Sequence, residues 1–102
     1  MTRPIHVITM AEALPEHAAE VCQILTRAVE LARQEEGCLR MDLYRDSRRP
    51  LLLNTIECWE SLEAHRRHLD SPLISTTVMA LLGKMKGLPD IRVLDPQSEF
   101  SE

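Results

Sequence analysis

The stretch GCLRMDLYRDSRRPLLLNTIECW, residues 37–59, decides the fold. Residues 38–45 alternate, with Leu39, Met41, Leu43 and Arg45 on one side of a strand and Cys38, Arg40, Asp42 and Tyr44 on the other. Asp46-Ser-Arg-Arg-Pro50 is turn chemistry. Residues 51–59 make a second strand, and the short polar turn predicts an antiparallel hairpin. Both parities of that second strand are apolar: Leu51 and Leu53 on one face, Leu52, Ile56 and Cys58 on the other. A sheet built around this hairpin has two faces that need cover.

Upstream, residues 4–13 (PIHVITMAEA) suit a strand, with Ile5, Val7 and Thr9 on one face and His6, Ile8 and Met10 on the other. Pro15 opens a helix, and from 15 to 36 the period becomes 3.6. Ala18, Val21, Ile24, Leu25, Ala28, Leu31 and Ala32 form its apolar stripe, and Gly37 ends it. Downstream, Ser61 caps a short helix over 62–70, and Ser71-Pro72 starts another. That last helix carries Ile74, Val78, Leu81, Leu82 and Met85, is weakened by Gly83 and stops at Gly87. A closing strand, 91–94, ends before Pro96. The order β-α-β-β-α-β is the ferredoxin-like split βαβ: an α+β fold with one four-stranded antiparallel sheet and both helices on one face. Residues 1–96 form one domain, and 97–102 read as a tail that is loose or lies on a neighbour.

Composition narrows the function. Only 3% of the 102 residues are aromatic, namely Tyr44, Trp59 and Phe100, so the core is aliphatic or is completed by a second copy. We therefore expect a homodimer that packs sheet against sheet. The net charge of −4, from 12 basic and 16 acidic residues, argues against binding nucleic acid. No apolar run is long enough for a membrane span or a signal peptide, which places the protein in the cytoplasm by expectation. Cys22, Cys38 and Cys58 have no metal-type spacing and read as free thiols.

Four segments carry a family resemblance. Gly37 to Asp46 resembles a GCLxYxLxxD strand, Glu57-Cys-Trp-Glu-Ser61 an E-x-W-x-S strand end, and His68-Leu-Asp-Ser-Pro72 an H-L-x-S-P helix. Pro89 to Leu94 resembles the closing strand. In this order and spacing they are similar to the antibiotic biosynthesis monooxygenase-like family of small dimeric α+β barrels. The resemblance implies a pocket in each subunit between sheet and helices. It also implies oxygenation of quinols or anthrones without flavin, haem or metal, so no cofactor is expected. Anthrone-oxygenating members carry Asn four residues before the Trp and Tyr six after it, where this chain has Thr55 and His65. The family's strand His is here Tyr44, and the His of its S-P-H is Leu73.

Cofactor-free oxygenation needs a base, groups that hold a substrate anion, and a dry cavity. His65 and His68, three apart on one helix, are the acid/base candidates. His65 continues the stripe Leu62, His65, Leu69; its plain alternative is a core histidine, and that of His68 is a helix-end cap. The pair has no evident third or fourth ligand, so no metal is expected. Trp59 is either a flat wall for a planar substrate or simply the largest core residue. Thr55 and Glu57 share its strand face, while Asn54 points the other way unless a bulge intervenes. Glu57 is either a pocket acid or a strand-edge salt-bridge partner. Tyr44 and His6 complete the substrate-binding candidates, with packing across the hairpin and a surface position as their respective alternatives.

The leading reading is a cofactor-independent monooxygenase that uses O₂ on a small aromatic quinol or polyketide-like phenol. A proton-moving isomerase or lyase and a non-enzymatic ligand-binding dimer remain alternatives. Haem degraders of the same fold match at Trp59 and His68 but use an Asn in the first strand, where Thr9 and Met10 stand here.

Overall fold

The computed structural model describes residues 3–98. Strand β1 (Ile5–Ala13) leads through a 3₁₀ turn at Pro15–His17 into helix α1 (Ala18–Ala32). The hairpin follows as β2 (Cys38–Arg45) and β3 (Leu52–Trp59). Helices α2 (Leu62–Leu69) and α3 (Pro72–Leu81) precede the last strand, β4 (Met85–Leu94). The sheet runs β2-β3-β1-β4, every pairing is antiparallel, and the fold is the ferredoxin-like α+β fold. Phe100 and most of the expected tail lie outside the described residues.

Side-chain alternation decides which face is inner. Every buried strand residue has the same parity across the pairings: Val7 and Ala13 on β1, Met41 on β2, Leu53, Glu57 and Trp59 on β3. They meet Val21, Val29 and Ala32 of α1 and Ala64 of α2. Val29, outside the expected stripe, is buried, whereas Leu31, within it, is 39% exposed. The opposite face carries Ile8, Met10, Leu52, Ile56 and Cys58, all only half-buried. β4 is exposed along almost its whole length.

Both serine caps are present: Ser61 Oγ accepts from the Ala64 amide at 3.1 Å and Ser71 Oγ from that of Ile74 at 3.4 Å. The bounds of the first helix, the last helix and the closing strand differ from the expectation. The first helix does not run from 15 to 36. His17 (φ −116°, ψ 7°) separates the 3₁₀ turn from α1, and the helix ends at Ala32. The last helix stops at Leu81, not at Gly87. Gly83, at φ +78°, turns the chain back, and Met85 pairs with Ala13 as the first residue of β4. Met85 fits the helical period, yet ladder bonds to β1 prevail, extended by the Leu14 amide on the Lys84 carbonyl at 2.9 Å. Gly87, at φ +74°, instead sits in a bulge, where two steps on β1 (Met10 to Glu12) face four on β4 (Lys86 to Asp90). Pro89 falls inside that bulge on an edge strand, where its missing N–H is tolerated.

Gly37 fixes the approach of the α1–β2 turn to α2. Its φ is +87°, and a Cβ there would lie 2.6 Å from the Cβ of Ala64. Its carbonyl accepts from the Glu60 amide at 2.8 Å. Both backbone and space therefore demand glycine. Gly37→Ala is expected to destabilise by about 1–3 kcal/mol, read as a lower urea midpoint at unchanged m-value.

Candidate active site

The inner face of β3 presents Thr55, Glu57 and Trp59 in a row. Cross-strand pairing sets Thr9 opposite Thr55 and Val7 and Met41 on either side of Glu57. Glu57, only 4% exposed, is held by three donors. Trp59 Nε1–H donates to Oε1 at 2.9 Å. The hydroxyls of Thr55 and Thr9 donate to Oε2 at 2.6 and 3.0 Å. Three donors on one carboxylate fix its orientation. Its hydrogen-bond partners are two hydroxyls and an indole rather than a cation, so the salt-bridge reading of Glu57 gives way to a cavity carboxylate.

Helix α2 lies over this row. Its buried residues are Ala64, His65 and His68. The expected stripe was off by part of a turn, since Leu62 is 42% exposed and Leu69 36%. The His68 ring stacks on Trp59 with centroids 4.6 Å apart and planes at 31°. His65 lies 6.0 Å from Trp59 and 6.3 Å from His68. Nδ1 of His68 is 2.6 Å from Oε1 of Glu35, at the end of α1.

Above these groups lies a cavity of roughly 340 Å³, inside the size range of small-molecule sites. Glu57, Thr9, Thr55, His65 and His68 are in its wall, with Thr77 of α3 as a further hydroxyl. The rest is apolar, mostly from α1, α3 and β4. Leu88, 92% exposed, stands at its rim. The arrangement suits a ligand with an apolar body and hydroxyls at one end.

Trp59 is not in that wall. It is completely buried beneath the imidazoles, so it cannot be a surface on which a substrate lies. Strand parity places it with Glu57 but does not tell wall from foundation. Asn54, Tyr44 and His6 are not brought to the cavity either. Asn54 pairs with Tyr44, and His6 with Cys58, on the opposite face of the sheet. No bulge on β3 shifts Asn54 inward, because the β1–β3 register is unbroken. The phenol of Tyr44 is engaged by Arg40 at 3.3 Å. Thr9 and Glu35 join the site without having been singled out. Thr9 was legible as an inner-face residue of the first strand, whereas Glu35 meets His68 across 33 positions and leaves no local signal.

Burial pushes His65 below the ordinary imidazole range; the Glu57 carboxylate pulls it partly back, and His68 adds a smaller push down. The neutral form of His65 is thus favoured. The unfolded chain takes up a proton that the native site resists, so stability rises with pH through the unfolded imidazole range. On acidification below about pH 6.5 this contribution is lost, by at most about 1.4 kcal/mol per pH unit. Thermal melts between pH 7.5 and 5.0 are expected to show the decline, and His65→Asn to flatten it relative to the parent. Burial also pushes the Cys38 and Cys58 thiols up, which disfavours a nucleophilic thiolate. Among the described residues, no three His, Cys, Asp or Glu side chains converge as a metal site requires. Nor does any described helix have the length and apolarity to cross a membrane.

A ferredoxin-like domain with a polar-floored cavity between sheet and helices defines a class of small α+β proteins. The model of the antibiotic biosynthesis monooxygenase family matches residues 4–80, and the chain belongs to that family. Solved structures share the fold. A Pseudomonas aeruginosa protein superposes with a TM-score of 0.87 at 26% identity, covering 96% of this chain and 98% of its own. A Mycobacterium tuberculosis protein gives 0.87 at 24%, covering 96% and 99%. A Deinococcus radiodurans protein that carries the family's name gives 0.85 at 26%, covering 96% and 97%. No curated protein matches the chain.

Proposed function

We propose that the protein is a cofactor-independent monooxygenase of small aromatic quinols or related phenols, with His68 as the base. The observation that carries this reading is the cavity itself: an aliphatic chamber whose polar groups are two buried imidazoles, a fixed carboxylate and threonine hydroxyls. An electron-rich ring fits the aliphatic walls, and one ring hydroxyl reaches Glu57 as acceptor. A second hydroxyl gives its proton to His68, and the imidazolium so formed pairs with the phenolate. The electron-rich anion then passes an electron to O₂, and the radical pair joins to form a C–O bond. Cleavage of the O–O bond leaves one oxygen on the ring and releases the other as water, which takes up the proton held by His68. For a naphthoquinol the balance is quinol plus O₂ to hydroxynaphthoquinone plus water, with four electrons given and four accepted.

Glu57 favours a neutral hydroxylated ligand over a carboxylate or phosphate, because a second anion beside its carboxylate is repelled. His65 stands in the same wall as a second proton acceptor. Trp59 supports this site from below: it holds Glu57 by its N–H and His68 by its ring face. The half-buried apolar outer face of the sheet supports a homodimer packed sheet to sheet, and light scattering is expected to give twice the chain mass.

The test is oxygen uptake with menadiol. The expected result is uptake above the autoxidation rate without accumulation of hydrogen peroxide. Turnover of a hydroxylated ligand without oxygen uptake would transfer the same residues to an isomerase or lyase. Binding without turnover would leave a ligand-binding dimer.

A further inference from the structure

The α1–β2 turn carries a group that neither strand nor helix periodicity points to. The Glu35 side chain is 24% exposed, and its Oε1 lies 2.6 Å from Nδ1 of His68, which is 7% exposed. The turn is rigidly built. The Glu35 amide bonds to the Ala32 carbonyl at 3.0 Å and the Cys38 amide to the Glu35 carbonyl at 3.2 Å. Gly37 lets it press against Ala64, one helical turn before His68 on the same face of α2. The ring of His68 is further packed, tilted, against that of Trp59. This imidazole is therefore constrained on one ring nitrogen and one face.

We propose that Glu35 is a positioning residue that holds His68 in its Nδ1–H tautomer and so leaves Nε2 as the bare proton acceptor for the cavity. A carboxylate only accepts hydrogen bonds, so with Glu35 as the acceptor of this 2.6 Å contact the proton sits on Nδ1. The neutral ring then has its lone pair on Nε2. No wholly buried side-chain N or O among the described residues lacks a partner, and no protein partner meets Nε2, so that atom keeps exposure; His68 is in the cavity wall. Glu35 thus acts through His68 and touches no substrate. The inference rests on the reading of His68 as the base, but its structural half can be measured without any substrate.

The experiment is long-range ¹H–¹⁵N correlation of the histidine side chains near pH 8, on the full chain, with His68 assigned by loss of its signals in His68→Gln. The parent is expected to show His68 with Nδ1 protonated and Nε2 bare. Glu35→Gln retains an acceptor and is expected to keep that tautomer; Glu35→Ala is expected to shift the ring toward Nε2–H. With menadiol as probe, Glu35→Ala is expected to lower kcat roughly 10- to 100-fold with KM little changed, a part of the 10²–10⁴ that a positioned base supplies. Partial recovery in Glu35→Gln is expected. Observation of the Nε2–H tautomer in the parent would overturn the inference by itself, even if Glu35→Ala fails to fold. An unchanged tautomer in folded Glu35→Ala would overturn it equally. If no form oxidises menadiol while the tautomers behave as stated, the positioning role stands and the oxygenase reading fails.

Discussion

Trp59→Ala is expected to lower the unfolding free energy by about 3–5 kcal/mol, the range for emptying a buried aromatic site. Trp59 has no exposed surface and joins residues of β1, β2, α1 and α2 in one cluster. Its removal also takes the donor from Oε1 of Glu57, leaving a buried carboxylate short of one partner. A domain of this size commonly has about 5–15 kcal/mol in total, so Trp59→Ala is expected to remove a large fraction of the stability. Trp59→Phe separates the two effects. It keeps most of the ring volume but removes the N–H, and about 1–3 kcal/mol is expected from the unsatisfied carboxylate. Chemical denaturation of both variants checks this. If Trp59→Ala proved as stable as the parent, the picture of Trp59 as the foundation of the site would be wrong.

His68→Ala should reduce quinol turnover by roughly 10²–10⁴-fold, the contribution of a positioned general base. His68 is also stacked on Trp59 and bonded to Glu35, so alanine leaves a gap and an idle carboxylate. His68→Gln fills much of the space and keeps a donor for Glu35, but it offers no base. It is expected to fold with near-parent stability and to be as slow as the alanine variant. Steady-state kinetics alongside melting curves separate a chemical loss from a structural one. Equal stability with full activity in His68→Gln would remove His68 from the chemistry and leave His65 as the remaining imidazole of the wall.

The hairpin at 38–59 was readable from its period of two on each side of a polar turn, although a bulge between Cys38 and Arg40 turns Cys38 to the inner face opposite Trp59, against the alternation. The same rule assigned Thr55, Glu57 and Trp59 to one face and Asn54 to the other, and the structure keeps that division. The start of β4 was not readable. Met85 satisfies the helical period set by Ile74, Val78 and Leu81, and only its pairing with Ala13 reveals a strand. In the site, periodicity brought His65 inward but could not rank it against Leu62 and Leu69, whose exposure depends on how α2 is rolled over the sheet. Nor could it tell that Trp59 lies beneath the cavity, because parity gives a face and not a depth. Tyr44 and His6 entered by chemical type, and their strand positions send them to the outer face. Glu35 was silent because its role exists only when the turn after α1 meets α2.

The buried row on β3 and the two imidazoles above it serve, in this account, to make a quinol anion in a dry chamber and let it meet O₂. The most direct measurement is mass spectrometry of the product after menadiol is incubated with the protein under ¹⁸O₂, with a protein-free control. The account predicts hydroxynaphthoquinone carrying one ¹⁸O, with the second atom in water, and loss of this product in His68→Gln. Unlabelled menadione and hydrogen peroxide alone, at the rate of the control, would contradict it.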